Sequence, residues 1–453
     1  MYSGKNIYVL GMGKSGIAAS KLLVKNNHVT LTDIKCDDYD LINELESLGI
    51  NIIITKNQAD VLEENFDYVI KNPAISDDNE VIKKAKKLNI SVINEMEVAY
   101  NMLPKNVKIV GITGSNGKTT TTALTYEILK LAGLPVKMGG NIGIAFCSFV
   151  EDVKEGDILV LEVSSHQLVN LENFKTNISV LTNLSEVHLD MFKTYENYKN
   201  NKLRIFNHHT KNDIAILNQK DEDVLNLTKN IPSKKLYFGG IKETDCYIKD
   251  DKIYYKNEEI CELSDIRIKG MHNYENVMCA ILVAKEFNVK NEIIKEALNN
   301  FCGVAHRMEF VNRINEIEFY NDSKATNNKS TIVALSSFQT PVNLILGGLD
   351  RGQSFDELKT HLTHVKHIIC YGETKEKIKK FCEKNNINVT VVDDLEEATR
   401  LAFNLSEEGD TVLLSPACAS WDQFKSFEER GNKFKEIIES LRWFFLDIKL
   451  VTC

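Results

Sequence analysis

The sequence predicts an α/β protein of three domains. Strand and helix patterns alternate along most of the chain, which is typical of parallel sheets with helices on their faces. At about 150 residues per domain, a length of 453 residues corresponds to three domains. Pro104 closes one helical pattern, and a new block starts near Cys302. We therefore predict domains at residues 1–103, 104–302 and 303–453.

Composition and charge exclude several classes of protein. Hydrophobic residues make up 43% and charged residues 26%, which is a globular balance and not a disordered or collagen-like one. The net charge of −9 makes nucleic acid an unexpected partner. No apolar run approaches the roughly 18 residues of a membrane span, so no membrane insertion is expected. The ten cysteines include no Cys-x-x-Cys pair, which excludes zinc-ribbon and thioredoxin-type motifs. We expect reduced thiols in a cytoplasmic monomer.

The first block predicts a Rossmann-like domain. Gly11-Met-Gly-Lys-Ser-Gly16 follows the first predicted strand and opens a helix, and Asp33 ends the second strand. This is the dinucleotide fingerprint with its acidic residue, although such a turn can hold any diphosphate. A nicotinamide cofactor is therefore one alternative. The predicted strands are 6–10, 28–32, 50–55, 67–70 and 91–93, and the predicted helices are 14–25, 39–48, 80–88 and 95–103.

The second block contains the clearest motif, Gly111-Ile-Thr-Gly-Ser-Asn-Gly-Lys-Thr-Thr120. A strand enters it and a helix leaves it, as a phosphate-binding loop requires. Its glycines at 111, 114 and 117 allow backbone N–H groups to surround phosphate oxygens. Lys118 can reach the β- and γ-phosphates, and Thr119 can hold Mg²⁺. We therefore predict a P-loop ATPase-type domain. Its predicted strands are 108–112, 157–163, 178–181 and 213–217, with short antiparallel strands within 236–268, and its predicted helices are 119–132, 276–287 and 292–300.

Glu162 lies at the carboxyl end of the apolar strand that follows the loop motif. In a parallel sheet, that end lies beside the phosphate loop. A solvent-exposed glutamate is the alternative, but a carboxylate between Leu161 and Val163 is costly unless it is paired or metal-bound. The position therefore favours metal binding.

The third block predicts a second Rossmann-like domain with polar residues at its strand ends. Three polar segments, 321–327, 347–351 and 415–424, each follow a strand, and ligands bind at that edge of open α/β sheets. His188, Lys202, His306 and Arg307 are each ambiguous by themselves, because isolated His and Lys residues are commonly structural or solvated. Strands should end at 321, 346, 371, 392 and 414, with helices at 328–337, 355–363, 374–384, 395–405 and from Asp422 onward.

The whole chain to about Leu441 resembles the Mur ligases, the ATP-dependent amide ligases of peptidoglycan precursor synthesis. The motifs that carry the resemblance are Gly-Ser-Asn-Gly-Lys-Thr-Thr, Gly139-Gly-Asn141-Ile-Gly143, Glu162-Val-Ser-Ser-His-Gln-Leu, Gly270-Met-His-Asn-Tyr-Glu-Asn276, His306-Arg307, Asn321-Asp-Ser-Lys-Ala-Thr-Asn327 and Leu414-Ser-Pro-Ala-Cys-Ala-Ser-Trp-Asp-Gln-Phe-Lys425. The last two resemble the members that add D-glutamate to UDP-N-acetylmuramoyl-L-alanine. In this family the first glycine turn holds the UDP of the substrate.

The resemblance implies that ATP activates the substrate carboxylate as an acyl phosphate, which the amine of D-glutamate then attacks. It implies two Mg²⁺ ions and a carbamylated Lys202. The implied catalytic residues are Lys118, Glu162, His188 and Lys202, and the implied metal ligands are Thr119, Glu162, His188 and Lys202. ATP would contact Gly114, Asn116, Gly117, Lys118, Thr119, Thr120, Asn276, Arg307 and Asp322. The UDP substrate would contact Lys14, Ser15, Asp33, Ile34, Lys35, Asn72, Asn141 and His188. D-Glutamate would contact Lys324, Thr326, Arg351, Ser420, Trp421 and Phe427.

Some positions depart from the family pattern. Trp421 stands where leucine is familiar, and Arg351 where lysine can occur. The apolar tail 442–453 matches no family motif, and we expect it to pack on the last helix. Three alternatives remain open at this point: a related ligase such as a folylpoly-γ-glutamate synthetase, a nicotinamide-dependent oxidoreductase, and a non-catalytic nucleotide-binding regulator.

Overall fold

The computed structural model describes residues 2–239 and 244–451 and contains three α/β sheets, as predicted. The chain forms two compact units. One unit comprises Met1–Asp265 and Glu275–Leu298, and it holds the first two sheets. The other comprises Ile266–Tyr274 and Asn299–Cys453, and it holds the third. The boundaries of the three sequence-predicted domains stay a prediction.

The first sheet has five parallel strands in the order β3-β2-β1-β4-β5. The order reverses beside β1, so the turns after β1 and β4 border one crevice, the place where doubly wound sheets bind ligands. The strands are β1 Asn6–Leu10, β2 His28–Asp33, β3 Asn51–Ile54, β4 Tyr68–Lys71 and β5 Ser91–Asn94. The helices are α1 Lys14–Leu23, α2 Tyr39–Ser47, α3 Gln58–Val61, α4 Glu80–Lys87 and α5 Glu95–Tyr100.

The second sheet has nine strands in the order β14-β13-β12-β11-β10-β9-β6-β8-β7. The pairs from β7 to β12 are parallel, and β12, β13 and β14 form an antiparallel extension. The strands are β6 Lys108–Thr113, β7 Val136–Gly140, β8 Ile158–Glu162, β9 Ile178–Leu181, β10 Ile214–Asn218, β11 Lys234–Phe238, β12 Cys246–Lys249, β13 Lys252–Tyr255 and β14 Glu258–Glu262. The helices are α6 Lys118–Leu131, α7 Leu189–Phe192, α8 Tyr195–Leu203, α9 Glu222–Leu227, α10 Met271–Glu286 and α11 Asn291–Asn300.

The third sheet has six strands in the order β15-β16-β20-β17-β18-β19, and only β15 is antiparallel to its neighbour. The strands are β15 Glu309–Ile314, β16 Ile317–Asn321, β17 Val342–Gly347, β18 Val365–Tyr371, β19 Val389–Val391 and β20 Thr411–Leu414. The helices are α12 Asn328–Leu335, α13 Lys375–Lys384, α14 Leu395–Asn404 and α15 Phe427–Val451. Short 3₁₀ helices lie at Phe146–Ser148, Val150–Asp152, Arg204–Phe206, Leu263–Asp265 and Asp356–His361.

Local sequence signals account for many of these boundaries. All residues of β8 and β17 are buried, as expected for central parallel strands that read as unbroken apolar runs. Side-chain caps begin several helices: Asp38 accepts a hydrogen bond from Leu41 N, Asn327 from Ser330 N, and Asp394 from Glu397 N.

Glu97 joins the first α/β layer to the second within their shared unit. Its fully buried carboxylate on α5 accepts hydrogen bonds from the backbone N–H groups of Glu172, Asn173 and Phe174. Three charge-assisted bonds to one carboxylate offset the cost of burying it. The segment held in this way follows β8, so the contact fixes α5 relative to the strand that carries Glu162.

Several predicted elements were wrong in type or extent. The helix predicted at 355–363 is a 3₁₀ helix, and α10 begins at Met271, five residues before the predicted start. The last helix begins at Phe427 and not at Asp422, because Gln423 N and Phe424 N both bond to Ser420 O in a tight turn. β11 pairs in parallel with β10, so the antiparallel part of 236–268 starts only at β12. The sequence patterns did not predict β7, β15 or the helices α3, α7, α8 and α9.

Other expectations concern thiols, membranes and the tail. The nine cysteines in the described part of the chain are free thiols. Across residues 2–239 and 244–451, no helix is both long and apolar enough to cross a membrane. The tail continues α15 to Val451, and the packing of its side chains lies outside the described residues.

Candidate active site

The phosphate-loop motif forms a tight turn between β6 and α6. Gly114 and Gly117 have φ angles of +145° and +80°, which side-chain-bearing residues rarely adopt. A Cβ at Gly114 would lie 1.9 Å from Thr182 Oγ1, and one at Gly117 would lie 2.2 Å from Asn276 Oδ1. Both glycines are therefore required by backbone angle and by space.

The prediction that Gly111 belongs to the phosphate-binding loop is wrong. Gly111 lies within β6, where a Cβ would approach Thr176 Cγ2 to 2.6 Å. Its role is close packing of the strand, and the phosphate-binding turn is formed by residues 114–117.

Lys118 is the first residue of α6 and folds back over the loop. Its Nζ donates to Gly114 O at 2.9 Å and to Ser115 O at 2.8 Å. No side chain caps α6 at Gly117, so the N–H groups of the first turn face the loop with the positive end of the helix dipole. The sequence-predicted Gly114, Asn116, Gly117, Lys118, Thr119 and Thr120 all belong to this turn and the first residues of α6.

Glu162 ends β8 with 1% of its surface exposed. Its Oε1 accepts a hydrogen bond from Asn141 Nδ2 at 2.8 Å, and Asn141 N donates to Glu162 O at 2.9 Å. Among the described residues, Oε2 is buried without a hydrogen-bond partner. A buried carboxylate oxygen left in this state fits a hard cation such as Mg²⁺. Asn141, expected at the muramoyl-alanine end, contacts Glu162 in this structure, and its contact with the substrate stays a prediction.

Lys202 lies on α8 and is almost completely buried, with 1% exposure. Its Nζ donates to Thr113 Oγ1 at 2.8 Å and lies 5.6 Å from the centre of the Tyr198 ring. Burial and, second, the Lys118 ammonium hold the pKa of Lys202 well below its ordinary value, while the Glu162 carboxylate opposes this shift. The site therefore favours the neutral amine.

His188 precedes α7 with a left-handed φ of +57°. Its ring packs edge-on against His166 with the ring centres 4.9 Å apart, and it lies 6.2 Å from the Tyr198 ring. Tyr198 thus contacts both His188 and Lys202, and its hydroxyl lies 2.9 Å from Ser115 Oγ in the phosphate loop. These contacts bring four sequence-predicted residues, Lys118, Glu162, His188 and Lys202, to one region of the second sheet.

The described residues contain no group of three or more His, Cys, Asp or Glu side chains suited to a metal ion. A metal site at Glu162 therefore needs donors of other kinds, such as the Thr119 hydroxyl, nucleotide phosphates or a modified lysine.

The first glycine turn forms a second candidate site at the crevice between β1 and β4. Both carboxylate oxygens of Asp33 accept backbone N–H bonds at 2.6 Å, one from Met12 and one from Ile34. A Cβ at Gly13 would lie 2.3 Å from Asn72 Nδ2, so the turn and Asn72 are in direct contact. Lys14 and Ser15 begin α1 beside the turn, and Ile34 and Lys35 are exposed after β2.

The polar strand ends of the third sheet also meet. Ser415 Oγ donates to Asp322 Oδ2 at 2.8 Å, Met308 N donates to Asp322 Oδ1 at 3.2 Å, and Leu349 N donates to Ala419 O at 2.9 Å. Burial raises the pKa of Asp322 to about 7, against the lowering effect of the Ser415 and Met308 donors and of Arg307. The three predicted segments after β16, β17 and β20 therefore form one edge.

Thr326 and Arg351 line a cavity of about 410 Å³ at that edge, together with Gln353 and Ala417. The Arg351 guanidinium lies 4.7 Å from the centre of the Trp421 ring. Lys324 Nζ lies 5.4 Å from the centre of the Phe427 ring, and Ser420 is buried.

Comparison with protein families decides the identity of this arrangement. The Mur ligase family catalytic-domain model matches residues 7–103, the Mur ligase middle-domain model matches 112–284, and the Mur ligase glutamate-ligase-domain model matches 306–418. The chain belongs to the Mur ligase family. The prediction of an ATP- and Mg²⁺-dependent ligase is thereby confirmed at the level of the family.

Curated relatives of this Mur ligase are close along its whole length. It is 42% identical over 445 residues to "UDP-N-acetylmuramoylalanine--D-glutamate ligase" of Bacillus cereus (strain G9842), covering 97% of this chain and 98% of the relative. The Bacillus anthracis (strain A0248) protein of the same name has the same identity and coverage.

Solved Mur ligase structures share the fold. The UDP-N-acetylmuramate-alanine ligase of Thermotoga maritima superposes with a TM-score of 0.60 at 19% identity, covering 96% of this chain and 99% of that one. MurF of Acinetobacter baumannii superposes with a TM-score of 0.59 at 14% identity, covering 95% of this chain and 93% of that one.

Sequence reasoning missed Arg430 in this Mur ligase. Arg430 is fully buried and donates to Ser323 Oγ at 2.9 Å, Ser323 O at 2.8 Å and Cys418 O at 3.0 Å. It therefore ties the segment after β16 to the segment after β20. A signal was available, because Arg430 lies at helical spacing from the buried Phe434, Ile437, Ile438 and Leu441.

Proposed function

We propose that this chain joins D-glutamate to UDP-N-acetylmuramoyl-L-alanine with hydrolysis of ATP to ADP and phosphate. The γ-phosphoryl group passes to the alanyl carboxylate, the D-glutamate amine attacks the acyl phosphate, and the tetrahedral intermediate collapses to an amide and phosphate. The observation that carries this proposal is the phosphate loop beside the buried Glu162 and Lys202, in a chain similar along its length to ligases named for this reaction.

The proposed chemistry needs positive charge around the transferring phosphoryl group. Lys118 supplies one charge, and the uncapped N-terminus of α6 adds backbone donors on the same side of the loop. Loop carbonyls hold the Lys118 ammonium, and Lys118 is itself part of α6. The position of this charge is therefore set before the nucleotide binds.

Two Mg²⁺ ions would complete the site, and they would neutralise phosphate charge when bound. We assign Thr119 and Glu162 to one ion and His188 and a carbamylated Lys202 to the other. The buried Glu162 Oε2 supports the first assignment. The second is supported by the lowered pKa of Lys202, since only a neutral amine adds to CO₂. That addition forms an N–C bond, releases one proton and converts a neutral amine into an anionic oxygen ligand.

We assign the substrate positions from the carboxyl ends of the strands in the three sheets. Asn276 contacts the loop helix through Thr121, which supports a place near ATP, and we assign Arg307 and Asp322 to its phosphates and ribose. Lys14, Ser15, Asp33, Ile34, Lys35 and Asn72 would hold the UDP group, and Asn141 and His188 its muramoyl-alanine end. Lys324, Thr326, Arg351, Ser420, Trp421 and Phe427 would form the D-glutamate site, and the cavity lined by Thr326 and Arg351 supports this assignment.

Phosphate release in a coupled assay tests the proposal. Release should require ATP, Mg²⁺, UDP-N-acetylmuramoyl-L-alanine and D-glutamate together, and Lys118→Ala should remove it. Turnover with L-lysine or diaminopimelate in place of D-glutamate would instead support a related ligase. Absence of any turnover, with ATP binding retained, would instead indicate a non-catalytic nucleotide-binding regulator. We also propose that the chain is cytoplasmic and monomeric. Light scattering of the purified chain measures its molar mass and so tests the monomeric state.

A further inference from the structure

The contact between Arg351 and Trp421 is unusual in its exposure. Trp421 follows β20 and has 64% of its surface exposed, although indole is a large apolar group. The guanidinium of Arg351 lies over the Trp421 ring, 4.7 Å from the ring centre. Arg351 follows β17, the strand next to β20. The two residues thus meet across two strand ends of the same edge.

Arg351 combines this stacking with a place in the cavity. It lines the space of about 410 Å³ that Thr326 and Gln353 also border, and its backbone N–H donates to Gln353 Oε1 at 2.9 Å. Within the described part of the chain, no carboxylate lies within ion-pairing distance of the Arg351 guanidinium. Glu357 also lines this cavity but forms no ion pair with Arg351 among the described residues. A guanidinium that no protein carboxylate pairs with at close range is suited to an anionic ligand.

Stacking on an aromatic face restrains a guanidinium without using its donors. Among the described residues, no protein acceptor takes the N–H groups of the Arg351 guanidinium, so they are available for a bidentate bond to a carboxylate. The restrained Arg351 side chain then loses less rotamer freedom when the ligand binds.

We propose that Trp421 is a positioning residue that holds the Arg351 guanidinium ready for a carboxylate of the incoming amino acid. This inference rests on the proposed function, because it takes Arg351 as part of the D-glutamate pocket. Trp421 acts here through Arg351 and confers affinity for the anionic amino acid, with no part in phosphoryl transfer.

Steady-state kinetics of Trp421→Leu tests the role. The KM for D-glutamate should rise about two- to fivefold, the range that corresponds to an exposed cation–π contact. The kcat and the KM values for ATP and the UDP substrate should stay unchanged. Trp421→Phe should recover much of the affinity, since it keeps an aromatic face. Equal rises in all three KM values, or no change in any, would overturn the proposal.

A double-mutant cycle distinguishes action through Arg351 from direct contact with substrate. Arg351→Met removes the cation, and the effect of Trp421→Leu on kcat/KM for D-glutamate should then disappear. Additive losses would show that Trp421 contacts the substrate by itself and would overturn the positioning role.

Fluorescence tests the stacking contact without any substrate. The difference in emission between the unmodified chain and Trp421→Leu isolates Trp421 from Trp443, the other tryptophan of the sequence. Arg351→Met should change that difference, and an unchanged difference would overturn the contact. If the unmodified chain releases no phosphate with D-glutamate, the proposed function fails, and the emission result still decides the Arg351–Trp421 pair.

Discussion

Lys202 Nζ donates a hydrogen bond of 2.8 Å to Thr113 Oγ1, and this contact joins α8 to the last residue of the strand that enters the phosphate loop. Thr113 Oγ1 donates in turn to Val163 O at 2.7 Å, just past Glu162. A buried lysine amine is therefore held between the phosphate-loop motif and the strand that carries the Glu162 carboxylate.

Carbamylation of Lys202 is the first prediction. With ¹³C-labelled bicarbonate, the chain should show a carbamate carbon signal, because burial lowers the pKa of Lys202 and so raises the neutral fraction of its amine. The signal should be absent in Lys202→Arg, which keeps a cation but has no reactive amine. A signal that persists in this variant would place the carbamate elsewhere.

The second prediction concerns Asn141, whose amide fixes one oxygen of Glu162. Asn141→Ala should weaken metal binding about 10- to 100-fold, the usual effect of removing a hydrogen bond that orients a metal ligand. Electron paramagnetic resonance of Mn²⁺ with bound nucleotide measures this affinity directly. An unchanged Mn²⁺ affinity with a raised KM for the UDP substrate would leave Asn141 with its proposed substrate-binding role alone.

The third prediction uses two glycines with similar backbone angles. Gly117→Ala should abolish ATP binding, because the new Cβ would lie 2.2 Å from Asn276 Oδ1 at a φ of +80°. Gly133→Ala is the matched control, with a φ of +74° and no atom within 4 Å of its Cβ. Each should lose about 1 kcal/mol of stability from the strained φ. Calorimetric titration with ATP should fail only for Gly117→Ala, and equal ATP affinities would contradict the steric argument.

The fourth prediction is a pH effect at Glu95 on α5. Burial raises the pKa of Glu95 from 4.5 to about 7, although its Oε1 accepts a bond from Cys147 N. Between these values the folded chain keeps a proton that the unfolded chain has lost, so the free energy of unfolding falls as pH rises and levels off above pH 7. For a group that is almost fully buried, the loss is on the order of 3 kcal/mol.

Glu95→Gln isolates this titration from that of every other group. The stability of the unmodified chain should fall relative to the variant between pH 4.5 and 7, as measured by guanidinium denaturation at each pH. Parallel stability curves for the two proteins would show that Glu95 ionises normally in the folded state.

Much of the architecture could be predicted from local patterns. The apolar runs of β8 and β17 indicated the alternation of strands and helices, and short glycine motifs indicated the turns after β1 and β6. Boundaries were less accurate where the decisive bonds are not visible in residue type, as at the Ser420 turn that delays α15 to Phe427.

Tertiary contacts alone decided the chemistry of individual side chains. Glu162 was expected near the phosphate loop, but only the fold shows that Asn141 bonds to one of its oxygens while the other is buried with no hydrogen-bond partner among the described residues. Lys202 and Thr113 are 89 residues apart, and Arg430 bonds to Ser323 107 residues away. The sequence by itself determined the fold class, the nucleotide loop and the family resemblance, since these depend on periodicity and short motifs. Burial and long-range hydrogen bonds decided the protonation and orientation of the site residues, because a side chain's dielectric surroundings exist only once distant segments have packed together.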